Sequence, residues 1–148
     1  HPDPLARGAF VGLTTRHTRG HMTRAVLEGV AFGLKDSFTL IDKVGLPESF
    51  EVRISGGGAK SPIWQQIIAD IFAAPLVNVN TPEAGAFGAA ILGAVGIGAF
   101  EDVPSACETM IQTGDRVETG ENVEAYAKVY ENYQTLYPAL KEIFEKLA

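Results

Sequence analysis

One stretch limits what this chain can fold into more than any other. Residues 51–55 alternate apolar and polar side chains and run into Gly56-Gly57-Gly58, which is followed shortly by Ser61-Pro62. Val52 and Ile54 fall on one face, the two-residue period of a strand. Ser61 offers a side-chain oxygen to cap a helix, and Pro62 has the pre-set φ that suits a first helical position. Strand, glycine turn and capped helix in succession form one unit of a layered α/β domain. The turn lays open backbone beside a helix N-terminus, where glycine lacks a Cβ and the first amides lack partners. That favours an anionic ligand such as a nucleotide. Glycine turns are common, and most only reverse the chain.

The flanking sequence repeats the alternation of strand and helix. Residues 8–13 (GAFVGL) are an apolar, strand-compatible run, followed by a polar loop rich in Thr and Arg. From 18 to 43 the period becomes helical, with Met22, Ala25, Val26, Gly29, Val30, Gly33, Leu34, Ser37, Phe38 and Ile41 on one face. Gly45 and Pro47 supply the stop. After the helix that opens at Ser61-Pro62 and is ended by Pro75, residues 76–79 read as a strand. Thr81-Pro82-Glu83 then read as a cap, a first-turn proline and an acid placed for the helix dipole.

The helix from 83 to about 98 carries Gly85, Gly88 and Gly93 among alanines, a composition that costs helix propensity and suits close approach of a neighbour. A short helix is expected at 105–111 and a loop up to residue 120. Residues 122–147 form an amphipathic helix with a tyrosine-rich stripe, bent or broken at Pro138. Three strands make a thin sheet, so partner strands are expected upstream, and the stripe is one candidate surface for a homodimer.

Charge and composition narrow the partners. The 148 residues carry a net charge of −6, which argues against a nucleic-acid backbone or an anionic membrane as the main partner. Arg16, His17, Arg19, His21 and Arg24 cluster locally and read as a solvated loop and helix start. No apolar run is long enough to span a bilayer. A single cysteine, Cys107, excludes an internal disulfide, and no Cys/His spacing suggests zinc; both fit a reducing, cytoplasmic setting. Because the chain opens at His1-Pro2 without a methionine, a fragment or a processed product is expected.

Two general nucleotide motifs fail at the glycine turn. A P-loop needs glycine where Ala59 precedes Lys60-Ser61, and again where Ile54 stands. The dinucleotide pattern needs glycine at Ser61. A nucleotide held here is held in another manner.

Four ordered segments carry a resemblance instead. They are HPDPLARG at the start; GAFVGL, seven residues and HMTRAVLE; GGAKSPIWQQIIAD; and EAGAFGAA. Together they resemble the FGGY family of carbohydrate kinases, within the actin and hexokinase superfamily, and the likeness covers almost the whole chain. It implies a partial ribonuclease H-like α/β lobe, with a short central sheet, flanking helices and a C-terminal helix. Residues 1–148 would be the C-terminal, nucleotide-side domain, lacking its first strands and its N-terminal sugar-binding domain. The implied reaction is transfer of the ATP γ-phosphate to a sugar, with Mg2+ bound mainly through ATP and residues outside this chain. The segments look most like members that act on D-xylulose; gluconate, ribulose and glycerol are alternatives, as is a nucleotide-binding module without sugar chemistry.

Carried over by position, the resemblance places Gly57, Gly58 and Ala59 against adenosine and the α-phosphate. A further family contact, often Asn, falls on Pro62, which offers neither an amide side chain nor an N–H. Lys60 is a phosphate contact or a solvated lysine. Trp64 is expected beneath the turn, Asp70 in a structural hydrogen bond, His21 in packing or capping, and Glu28 holding a neighbouring loop. No catalytic base and no metal ligand can be placed: Asp3, Asp36, Asp42, Asp102 and Asp115 lack the family context. The chain alone is expected to be inactive.

Overall fold

The computed structural model describes residues 3–42, 52–79, 81 and 83–148. Helix α1 (Arg19–Asp42) opens where Thr18 donates its N–H to His21 Nδ1 at 3.1 Å, while the Thr18 carbonyl accepts from Met22 N at 3.2 Å. His21 therefore caps, as expected, while His17 closes the preceding turn, accepting from the Thr14 N–H at 2.9 Å. The stop signals at Gly45 and Pro47, and Glu51 of the expected strand, lie outside the described residues.

Strand β1 (Val52–Ile54) leads through a 3-10 turn (Gly57–Lys60) into helix α2 (Pro62–Phe72). Ser61 Oγ accepts from Trp64 N at 3.4 Å and Pro62 takes the first helical position, the start read from the sequence. The helix stops before Pro75, at Ala73, whose left-handed φ of 53° lets its N–H close on the Ala69 and Asp70 carbonyls. Strand β2 (Leu76–Val79) pairs parallel with β1, Val52 opposite Leu76.

Helices α3 (Ala84–Gly96) and α4 (Val103–Met110) follow. Thr81 does not cap α3: it is buried, its N–H bonds to the Val79 carbonyl at 2.7 Å, and Glu83 holds the cap position without a side-chain bond. Pro82 lies outside the described residues. Helix α4 has a reciprocal cap the sequence reading missed, with Ser105 N donating to Asp102 Oδ1 at 2.9 Å and Asp102 N to Ser105 Oγ at 3.3 Å. Strand β3 (Thr113–Val117) joins β2 antiparallel, with an irregularity between Val77 and Val79, and helix α5 (Val123–Lys146) closes the chain. The sheet order is β1-β2-β3.

Five further expectations are corrected. Residues 8–13 form no strand; Phe10, Val11 and Leu13 are exposed, and β1 and β2 pair with other segments. The third strand lies instead in the expected loop: Thr113–Val117 is an edge strand held by backbone bonds to β2, so it needs no apolar alternation. Helix α5 runs through Pro138 unbroken. The proline sacrifices one backbone bond, but buried Tyr126 and Tyr130 before it and buried Phe144 after it hold both halves.

The other two concern which faces are covered. In α1 the buried side is Ala31 and Phe32, flanked by Leu27 and Phe38, whereas Met22, Val26, Val30, Leu34 and Ile41 of the expected face are exposed. The helix is apolar on two sides, and periodicity alone could not rank them. Around α3, a Cβ added at Gly85, Gly88 or Gly93 would meet nothing within 4 Å. No neighbour described here makes the close approach those glycines suggested.

The core joins α1, α2, the sheet and α5. Ile67, Ile68, Ile71, Leu76 and Phe32 are buried, and Phe32 stacks on Tyr130 at 5.7 Å with Tyr133 at 5.2 Å. The tyrosine stripe is therefore packed within the chain and is not a free dimer surface. Lys35 ties α1 to the end of α2, donating to the Ile71 carbonyl at 2.6 Å, and burial lowers its pKa. Such a cation suits a helix C-terminus.

Candidate functional site

The glycine turn stands at the carboxyl end of β1, beside the carboxyl end of parallel β2. That edge is where open α/β sheets hold ligands. Gly56 has φ 80° and ψ −165°, a backbone region essentially restricted to glycine. It turns the chain out of β1 so that Gly57 begins the 3-10 segment. The turn is closed by Ala59 N to the Gly56 carbonyl and Ser61 N to the Gly58 carbonyl, each at 3.2 Å.

The two central glycines face different surroundings. Gly57 is exposed, and a Cβ built there meets nothing within 4 Å. Gly58 is half-buried against the indole of Trp64, where a Cβ would come 2.1 Å from Cζ3. Trp64 lies under the turn, as the sequence implied. Its Nε1 is buried without a hydrogen-bond partner among the described residues, and it meets Gly58 through the ring carbons Cζ3 and Cε3.

Ala59 is half-buried and lines a groove of about 490 Å3 together with Gly56, Lys60, Asn78, Thr81 and Asp115. Gly57, Gly58 and Pro62 do not line it. Pro62 sits exposed on the first turn of α2, and Lys60 is solvated at the groove rim beside a carboxylate-bearing wall. Of the four candidate residues, three are contiguous on the turn and the fourth opens the helix behind it. The turn is open at Gly57, where backbone amides precede the first internal bond and no side chain intervenes.

Two residues that the sequence reading left without a role fix the turn. Gln65 is buried and its Nε2 donates both to the Ala59 carbonyl and to Asn78 Oδ1, the latter at 3.1 Å. The available signal was an amide among the isoleucines of α2, Ile63, Ile67, Ile68 and Ile71.

Asp70 is 2% exposed, and its Oδ1 accepts from Gly120 N at 2.6 Å and from Gln66 Nε2 at 2.8 Å. It pins the β3–α5 connection to α2, the structural bond expected of it. Glu28 holds a helix and not a loop: Glu28 Oε1 accepts from Tyr126 of α5 at 2.7 Å and from Arg24 at 2.8 Å. The bond to Glu28 raises the Arg24 pKa, while burial and then the Glu28 bond raise that of the Tyr126 hydroxyl. Among the described residues, no three His, Cys, Asp or Glu side chains gather as a metal site, and no helix is long and apolar enough to cross a membrane.

Sheet, glycine turn and backing helix form an α/β lobe of the actin and hexokinase type. Residues 1–97 match the model for the FGGY family of carbohydrate kinases, C-terminal domain. The chain is 35% identical over 144 residues to a xylulose kinase from Staphylococcus epidermidis, covering 97% of this chain and 29% of that protein. It is 30% identical over 146 residues to a gluconokinase from Bacillus licheniformis, covering 99% and 28%. Among solved structures, ligand-bound xylulose kinase from Lactobacillus acidophilus superposes with a TM-score of 0.88 at 28% identity, over 99% of this chain and 30% of that one. Gluconate kinase from the same organism gives 0.86 at 29% identity, over 99% and 30%.

The chain belongs to the FGGY family of carbohydrate kinases. Its fold is the expected α/β lobe of the actin and hexokinase type. It spans about three-tenths of the length of the relatives it matches.

Proposed function

We propose that the whole protein transfers the γ-phosphate of ATP to a sugar, D-xylulose in first place, and that this chain is its C-terminal, nucleotide-side domain. The observation that carries this reading is the glycine turn, open at Gly57, backed by Trp64 and set at the carboxyl end of the β1–β2 pair. In it, Gly57, Gly58 and Ala59 face adenosine and the α-phosphate, and Pro62 replaces a polar contact with a rigid helix start. The sugar site, the catalytic base and the phosphate-binding turns then belong to an N-terminal domain and to upstream strands. Mg2+ is carried by the ATP phosphates and by residues of those parts.

Two surfaces support a missing neighbour. The exposed stripe Met22, Val26, Val30 and Leu34 on α1 is a face that further protein would cover. The open glycines of α3 allow close approach from outside this chain. A homodimer using the same stripe is the alternative. A cytoplasmic setting suits a reduced Cys107 and a small-metabolite kinase.

The similarity to gluconate kinase keeps gluconate as the competing acceptor. Coupled ATP-consumption assays of the full-length protein with D-xylulose, gluconate, ribulose and glycerol decide between them. Preference for D-xylulose is the expected result; consumption with another acceptor moves the assignment. ATP binding without turnover on any of them would favour the non-catalytic module.

A further inference from the structure

We infer that Gln65 is a positioning residue for the nucleotide turn, acting through the carbonyl of Ala59; the inference rests on the nucleotide reading above. In a 3-10 turn each carbonyl accepts from the N–H three residues on. For Ala59 that residue is Pro62, which has no N–H. The proline that starts α2 thus removes the donor that would close the last bond of the turn.

Gln65 supplies it from the side. Its Nε2 donates one hydrogen to the Ala59 carbonyl and the other to Asn78 Oδ1 at 3.1 Å. A carbonyl can only accept, so the Gln65 nitrogen must face Ala59 and Asn78 must present its oxygen to the same nitrogen. Gln65 is 9% exposed, so water does not readily stand in for its amide. Ala59 and Asn78 both line the groove beside the turn. One amide therefore fixes the turn and its spacing from β2, and with it the direction of the Gly57 and Gly58 amides.

The test uses the full-length protein and steady-state kinetics with ATP and sugar varied separately. Gln65→Glu keeps the shape but replaces the donor with a carboxylate oxygen that faces two acceptors. The KM for ATP should rise about tenfold, with sugar KM and saturated kcat changing less than twofold. The defect should shrink as pH is lowered and the new carboxyl regains a proton to donate. Gln65→Met, which keeps length without polarity, serves if the glutamate variant does not fold. Its ATP defect should diminish in combination with Pro62→Ala, which restores the missing backbone N–H. A purely structural glutamine would shift all kinetic parameters together, with no rescue by acid or by Pro62→Ala.

Gly57→Leu separates the two levels of the argument. If it raises the KM for ATP while the Gln65 variants do not, this inference is wrong and the nucleotide reading stands. If neither position affects the KM for ATP, the nucleotide reading itself fails.

Discussion

Gly58 and Trp64 touch so closely that no side chain fits between them: a Cβ on Gly58 would stand 2.1 Å from Trp64 Cζ3 and 2.7 Å from Cε3. The glycine is needed from beneath, by the indole, and the nucleotide proposed above would need it from the other side. Gly58→Ala forces the ring or the turn to shift, an overpacking defect of about 1–3 kcal/mol. We expect reduced thermal stability together with weaker ATP binding, and calorimetry beside nucleotide titration measures both.

Gly57 differs by one residue and behaves oppositely. A side chain there points into open space and φ is not left-handed, so Gly57→Leu should leave stability within about 0.5 kcal/mol. It places its side chain where the nucleotide is proposed to lie, so ATP affinity should fall more than tenfold. Urea unfolding and ATP titration of the same preparation separate the two effects.

Asp70 is buried for architecture. Asp70→Ala strips the acceptor from Gly120 N and Gln66 Nε2 and should cost about 1–3 kcal/mol. It should not change the pH profile of the full-length enzyme. A loss of kcat with unchanged stability would instead place Asp70 in the chemistry.

The α1–α5 contact has its own pH signature. Burial, and then the bond to Glu28, raise the pKa of Tyr126; burial also raises those of Tyr130 and Tyr133. A hydroxyl whose folded pKa lies above its unfolded value of about 10 favours the fold fully below that pH. The contribution is lost as pH rises through the folded value. Stability should therefore decline above about pH 10, with tyrosine Cζ resonances titrating late in NMR spectra. Tyr126→Phe should cost about 1 kcal/mol at neutral pH, since Arg24 still pairs with Glu28.

What was legible in the sequence followed from local chemistry. Ser61-Pro62 announced the start of α2, the helical period gave α1 to within a residue at each end, and the glycine run placed the turn. What was hidden depends on neighbours distant in sequence. Strand β3 exists because β2 offers an edge, although Thr113, Gly114, Asp115 and Arg116 carry no strand pattern. The inner face of α1 is chosen by the tyrosines of α5, a hundred residues on, and no periodicity within α1 reveals it. At the site, Gly57 and Gly58 could be read by motif, whereas Gln65 emerges only when Ala59, Pro62 and Asn78 are seen around it.

The central claim is that this turn holds the adenosine side of ATP for a sugar kinase. Its most direct test is the KM for ATP and the KM for D-xylulose of the full-length protein, measured side by side for the native sequence and Gly57→Leu. The account predicts phosphoryl transfer to D-xylulose, with a KM for ATP raised more than tenfold in the variant and an unchanged KM for the sugar. Native-like ATP kinetics in Gly57→Leu would contradict it.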